Sequence, residues 1–430
     1  MSRIRWFIMG AALAAAAALV ACSRGGGPLS DVSVQPAVIS PNADGRDDIA
    51  RIIYKVNQPA DVSIYLSGPD GERYDLRAEA QRAPSPAPYE LLFNGVSNGR
   101  LMPDGTYTWH VEAAADQGVQ SYSGTLQITD ADVPFPGIQE LTLSSPVFSP
   151  NRDGIDDRVY INVVSSQPSK LNVYVIGDNG FRYEVQRREG LQALSAEGVL
   201  QPGRYSYDYD GGIDLGADPP PDGQYMLVAE AEDAVGQRDT VTASLTITNS
   251  GRPMAEIVVQ PDGRGVQWSR AGSAPPVLGP NDTQRMTVGI SETVYFTMAV
   301  RNTGLVPIRT AGPFDPEECY TLDENRYTKG FPQEPGVFRV GVDYETNTGA
   351  DHPWRWAVGT LADLDVVERD GDKLYYLAPG KQALVRGCVR VTRVPVRNPF
   401  YLWVSLIHED VEIAAINNRV SPVLVQVVEP

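Results

Sequence analysis

The chain repeats itself. Ser40-Pro41-Asn42-Ala43-Asp44-Gly45-Arg46-Asp47-Asp48 returns, 109 residues on, as Ser149-Pro150-Asn151-Arg152-Asp153-Gly154-Ile155-Asp156-Asp157. At the same spacing Pro59, Gly68, Gly71, Arg73 and Tyr74 become Pro168, Gly177, Gly180, Arg182 and Tyr183. Pro103-Asp104-Gly105-Thr106-Tyr107 returns as Pro221-Asp222-Gly223-Gln224-Tyr225, and Leu126-Gln127-Ile128-Thr129 as Leu245-Thr246-Ile247-Thr248. A repeat of this length is one whole domain present twice. The spacing widens along the copy, so the second copy carries loop insertions, expected around 190–203 and 211–221. Within each copy apolar residues alternate: Val62, Ile64 and Leu66 with Ser63 and Tyr65, then Leu171, Val173 and Val175 with Asn172 and Tyr174. Period two predicts strands with one face buried and one wet. Asp-Gly, Asn-Gly and Pro-Asp-Gly steps fall at turn spacing. The expected fold class is all-β, built from antiparallel β-sandwiches in tandem.

The first 21 residues read as a secretion signal. Arg3 and Arg5 precede an apolar, alanine-rich stretch from Trp6 to Val20, and small residues come before Cys22. That stretch is shorter than the roughly 20 apolar residues a membrane-spanning helix needs. Leu19-Val20-Ala21-Cys22 resembles the lipobox of bacterial lipoproteins. The resemblance implies lipidation of Cys22, cleavage before it, and membrane attachment through the N-terminal lipid. The expected location is extracytoplasmic, on the outer surface or the periplasmic face. Ser23-Arg24-Gly25-Gly26-Gly27-Pro28 then reads as a flexible tether, taken to span 22–34.

Glycine (40) and proline (34) are plentiful while charged residues stay at 21%, the balance of a turn-rich globular chain. A net charge of −18 repels phosphates, so nucleic acid is not an expected partner. With Cys22 assigned to lipid, Cys319 and Cys388 are left, and a pair in an oxidising compartment most simply forms one disulfide.

Ser-Pro-Asn-x-Asp-Gly-x-x-Asp, followed by Asn94-Gly95 and Pro103-Asp104-Gly105-Thr106-Tyr107, resembles the Ig-like domain of flagellar hook-capping proteins. The second copy supplies Asp210-Gly211 and Pro221-Asp222-Gly223-Gln224-Tyr225. The likeness covers about 35–130 and 145–249. It implies β-sandwiches used as spacers or assembly modules, and it carries no flagellar role. The expected boundaries are 35–132 for the first repeat, 133–250 for the second and 251–430 for a C-terminal domain.

The acidic loops admit two readings. Asn42, Asp44, Asp47 and Asp48, and again Asn151, Asp153, Asp156 and Asp157, place hard oxygen donors around a glycine turn, as calcium sites do. The full alternating-ligand run with a closing glutamate is missing, and Asn and Asp also cap their own backbone in such turns. No cofactor is required by the sequence; calcium is the one candidate.

Beyond residue 252 the repeat stops. Val294, Phe296, Met298 and Val300 alternate before Arg301-Asn302-Thr303-Gly304, and Asn417-Asn418 precede a closing strand, Val423–Val427. These ends resemble adhesion-related Ig-like domains of the CARDB type. That leaves 315–380 as an aromatic-rich insertion. Tyr344, Trp354 and Trp356 within it are either a recognition patch for a glycan or protein or packing for the insertion. Trp354 and Trp356 are alternate residues, so on a strand they share a face and Arg355 takes the other.

Catalytic signatures are missing. The three histidines, His110, His352 and His408, are scattered, and no metal-spaced His or Cys pair, nucleophile elbow or phosphate loop occurs. The expectation is a non-catalytic surface lipoprotein serving as stalk, adhesion or envelope-assembly module. The alternative is capture of an extracellular glycan or protein by the C-terminal domain, and a third class is a subunit of an envelope machine.

Overall fold

The computed structural model describes residues 27–69, 71–188, 198–270, 277–278, 284–313, 315 and 319–429. The signal and Cys22 lie outside them, as does most of the expected insertion at 190–203. Strands dominate, and the helical elements are single 3-10 turns such as Ile213–Leu215, which sits in the expected second insertion at 211–221. No helix among the described residues is long and apolar enough to cross a membrane.

The two copies share one topology. In the first, a three-stranded sheet runs Leu29–Gln35, Ala50–Val56, Tyr89–Phe93, and a five-stranded sheet runs Val38–Ile39, Gly118–Ile128, Gly105–Ala115, Ala60–Ser67, Arg73–Arg82. In the second, the equivalents are Ile138–Leu143, Val159–Ser165, Gly203–Tyr209 with an added Gln186–Arg187, and Val147–Phe148, Arg238–Ile247, Gly223–Glu232, Lys170–Gly177, Arg182–Glu184. The two-residue strand that opens each five-stranded sheet pairs parallel with the last strand; the other pairs are antiparallel. Ala50–Val56 and Val159–Ser165 even share one burial pattern, every second residue buried. Inward residues of both sheets meet in each sandwich: Ile52, Tyr54, Val62, Ile64, Val111 and Leu126 in the first, Val159, Ile161, Val173, Val175, Leu227 and Leu245 in the second.

Leu29–Gln35 pairs with Ala50–Val56, so the first sandwich begins inside the stretch expected to be tether. The reason is visible in Leu29, 2% exposed, which the core recruits although glycines precede it. The described residues up to Phe135, with Asp233–Arg238, form one compact unit. Residues 136–232 and 239 onward form another, which holds the second repeat core and the C-terminal core.

The C-terminal sandwich sets a five-stranded sheet against a nine-stranded one. Thr293–Asn302 forms where alternation placed a strand and Val420–Val428 where the closing strand was expected, with Phe400–His408 beside it. The described residues of 315–380 supply strands to both sheets. Phe338–Tyr344 lies between Phe400–His408 and Ile308–Thr310 in the larger sheet, and Cys319–Thr321 edges the smaller one. Phe338–Tyr344 is buried on both faces for five consecutive residues, so it shows no period-two signal.

Candidate functional site

Each acidic loop is a closed hydrogen-bonded turn. Asp48 Oδ1 accepts from the amides of Asn42 (3.1 Å) and Ala43 (2.9 Å), and Oδ2 from that of Gly45 (2.7 Å). Asp157 repeats this on Asn151 (3.4 Å), Asp153 (3.2 Å) and Gly154 (2.7 Å). Asn42 Oδ1 takes the Asp44 amide and Asn151 Oδ1 the Asp153 amide, both at 3.0 Å. Asp44 and Asp153 then accept from Arg46 (2.8 Å) and Ile155 (2.9 Å). The oxygens read as candidate ligands therefore satisfy amides of their own turn. Asp47 and Asp156 instead take φ near +50°, as Asx residues tolerate.

The copies differ in what the loop meets. Residues 43–47 are exposed. Asp153, at the position of Asp44, is 6% exposed and packs on the C-terminal sandwich. Tyr376 Oη donates to Asp153 Oδ2 (3.0 Å) and Arg309 Nη1 to the Asp153 carbonyl (2.7 Å). His408 Nε2 donates to the Arg152 carbonyl (2.8 Å), and Arg369 pairs with Asp156 (2.6 Å). Ile308–Thr310, Asp372–Leu377, Asp365–Arg369 and Phe400–His408 all belong to the nine-stranded sheet, which so delivers four side chains to one loop. Two glycines permit the approach. A Cβ at Gly154 would stand 2.2 Å from the Pro335 carbonyl oxygen, and one at Gly336 would stand 2.2 Å from the Asp153 carbonyl carbon.

Burial shapes the protonation of this joint. It raises Asp153, and it raises Asp157 to about 6 with the Asp153 charge adding to the effect. Burial also pushes His408, stacked on Phe338 at 4.2 Å, down to about 4. Tyr376 is raised by burial and by the Asp153 carboxylate it faces. Beside the joint lies a cleft lined by Arg152, Arg158, Asp157, Asp210 and Asp214. Its arginines are paired, Arg152 with Asp214 (2.9 Å) and Arg158 with Asp208 (3.0 Å) and Asp214.

The aromatic patch requires correction. Trp354 and Trp356 are 0% and 1% exposed and sit in the core, Trp356 edge-on to Phe296 and Tyr320. Tyr344, half-buried, stacks on Trp354 at 5.2 Å. The alternation places both tryptophans on one face, as expected, but that face is the sandwich interior. Arg355 takes the other face and is buried too, paired with Glu409, which Arg339 also approaches at 3.6 Å. The sequence offered no signal for this ion cluster, because its partners come from separate strands. Cys319 and Cys388 are bonded, on parallel neighbouring strands with Cα atoms 4.8 Å apart.

Among the described residues, one group of three His, Cys, Asp or Glu side chains brings ligand atoms within 4.8 Å of one another: Asp343, Asp351 and His352. Neither acidic loop does so. Arg309, Tyr376, His408 and the Asp343 group were all missed in the sequence; paired Tyr375-Tyr376 and a histidine closing an apolar strand were the only local hints.

No protein-family model matches the chain, and no curated protein does. Among solved structures, E. coli α2-macroglobulin matches 93% of this chain and 23% of its own length, at 10% identity and a TM-score of 0.19. A bacterial ice-binding adhesin matches 85% of this chain and all of its own, at 11% identity and 0.18. A DUF4785 family protein of Legionella pneumophila matches 83% and 76%, at 9% and 0.22. The chain thus spans under a quarter of the α2-macroglobulin. At these scores none of the three bears on activity.

Proposed function

We propose that this chain is a non-catalytic, lipid-anchored envelope protein in which the second repeat serves as the rigid mount of the C-terminal sandwich. Lipid on Cys22 holds it to a membrane outside the cytoplasm. The hook-capping and CARDB resemblances support a spacer and an adhesion-type head, and the partner is an extracellular or envelope protein or a glycan. The observation that carries the reading is the second acidic loop, whose Asp153 is buried against Tyr376 and Arg309. A loop that in the first copy is exposed is here a docking part. Its amide-capping oxygens favour the turn reading over calcium.

The test is limited proteolysis of membrane-bound protein between the second repeat and the C-terminal sandwich, around 249–254. The wild-type chain is expected to resist and Asp153→Ala to be cut there, with both sandwiches intact. Cys22→Ser is expected to leave the membrane fraction. Equal cutting in wild type and Asp153→Ala overturns the mount, and a Cys22→Ser chain that still takes up lipid label overturns the anchor.

A further inference from the structure

We infer that the strand Asp365–Arg369 is a docking edge for a second copy of this chain, paired with it antiparallel about a two-fold axis through Val367. The inference rests neither on the lipid anchor nor on the loop joint.

Asp365–Arg369 ends the nine-stranded sheet, and among the described residues no strand pairs with its outer side. All five residues are exposed, Val366 at 46% and Val367 at 48% among them. The inner side is regular: the register with Asp372–Leu377 runs without a shift from Asp365 opposite Tyr376 to Arg369 opposite Asp372. A bulge is one usual protection of a free edge, and this edge has none. The turn is Asp370-Gly371, with φ of 53° and 92°. A two-residue turn of that kind closes on a hydrogen-bonded pair, here Arg369 and Asp372. Bonded and non-bonded pairs alternate along the ladder, so the amides and carbonyls of Val366 and Glu368 face outward.

The side chains select the occupant. In an antiparallel pair of two such strands about Val367, Val366 of one copy faces Glu368 of the other, and their outward groups exchange hydrogen bonds. Asp365 of one copy faces Arg369 of the other, and symmetry makes that contact twice. Opposite charges set across antiparallel strands attract. A slip of two residues towards the turn would set Glu368 against Glu368. A slip the other way would leave Glu368 and Arg369 without opposites. Arg369 also meets Asp156 (2.6 Å), and its side chain is 43% exposed. A guanidinium has donors for a second carboxylate. The contact uses the same strand in both copies, so it closes as a dimer and does not grow into a fibre.

The test uses the full chain, in the cell fraction where it is found, carrying Val367→Cys. At the axis residue 367 meets its own copy in a non-bonded pair, with Cα atoms about 4.5 Å apart, within reach of a disulfide. Copper-phenanthroline should give a covalent dimer on a non-reducing gel. Val396→Cys, at a position 99% exposed, should give none. Adding Asp365→Arg or Arg369→Asp should each cut the dimer at least about fivefold by setting like charges opposite. Asp365→Arg replaces an exposed side chain and leaves the core untouched. Co-expressing the two variants, with tags of different size, should restore a mixed dimer, because opposite charges face again. No dimer from Val367→Cys, an equal dimer from Val396→Cys, or one that Asp365→Arg leaves unchanged overturns the edge. Loss in each variant without rescue in the mixture overturns the antiparallel register.

Discussion

At the scale of single residues, the joint of the second repeat and the C-terminal sandwich holds two groups displaced in opposite senses. Asp157, near 6, keeps its proton more firmly folded than unfolded. Its contribution favours the fold below the ordinary value of 3.8 and is lost as pH rises through 6. His408, near 4, resists its proton when folded. Its contribution is full above 6.5 and is lost as pH falls through 4. Between about pH 4 and 6 the two slopes oppose, each at most about 1.4 kcal/mol per pH unit. The wild-type slope across that window is therefore expected to lie between those of variants that lack one group or the other. His408→Gln should leave a melting temperature that falls as pH rises, and Asp157→Asn one that climbs. Parallel profiles in all three proteins would overturn the assignment. Burial in water-poor surroundings produces both shifts, and no residue-by-residue reading of the chain contains it.

At the scale of elements, the repeated Pro-Asp-Gly-x-Tyr proves to be a brace. Tyr107 Oη donates to the Pro103 carbonyl (2.8 Å) and Tyr225 Oη to that of Pro221 (2.7 Å). Asp104 accepts from the amides of Asp130 (3.1 Å) and Ala131 (2.8 Å), and Asp222 from those of Asn249 (3.1 Å) and Ser250 (2.8 Å). The motif thus ties the start of one long strand to the end of the next. Asp104→Ala and Asp222→Ala are each expected to cost about 1 kcal/mol, since the freed amides are near water. Thermal melting reads this, and no loss in either variant would mean that the tie is idle. These elements were legible because they are local: turn residues and period-two alternation sit within ten residues of what they build. Phe338–Tyr344 was not, because a strand covered on both faces looks like any apolar run.

At the scale of the molecule, the described residues hold three buried cores. The Cys319–Cys388 bridge closes 69 residues of the third. Its loss in Cys319→Ala is expected to cost about 2–5 kcal/mol, read as a lower melting temperature. An unchanged value would mean free thiols in the mature chain. By itself the sequence determined the all-β class, the duplication and its turns, the shared face of Trp354 and Trp356, and the pairing of the two late cysteines. Each follows from spacing along the chain or from the count of residues. Only the tertiary structure decided that one acidic loop stays exposed while its twin docks, that the tryptophans face a core, and that Arg355 meets Glu409. The motif is the same in both copies. The difference lies in Arg309, Tyr376 and His408, which folding brings to the loop from more than 150 residues away.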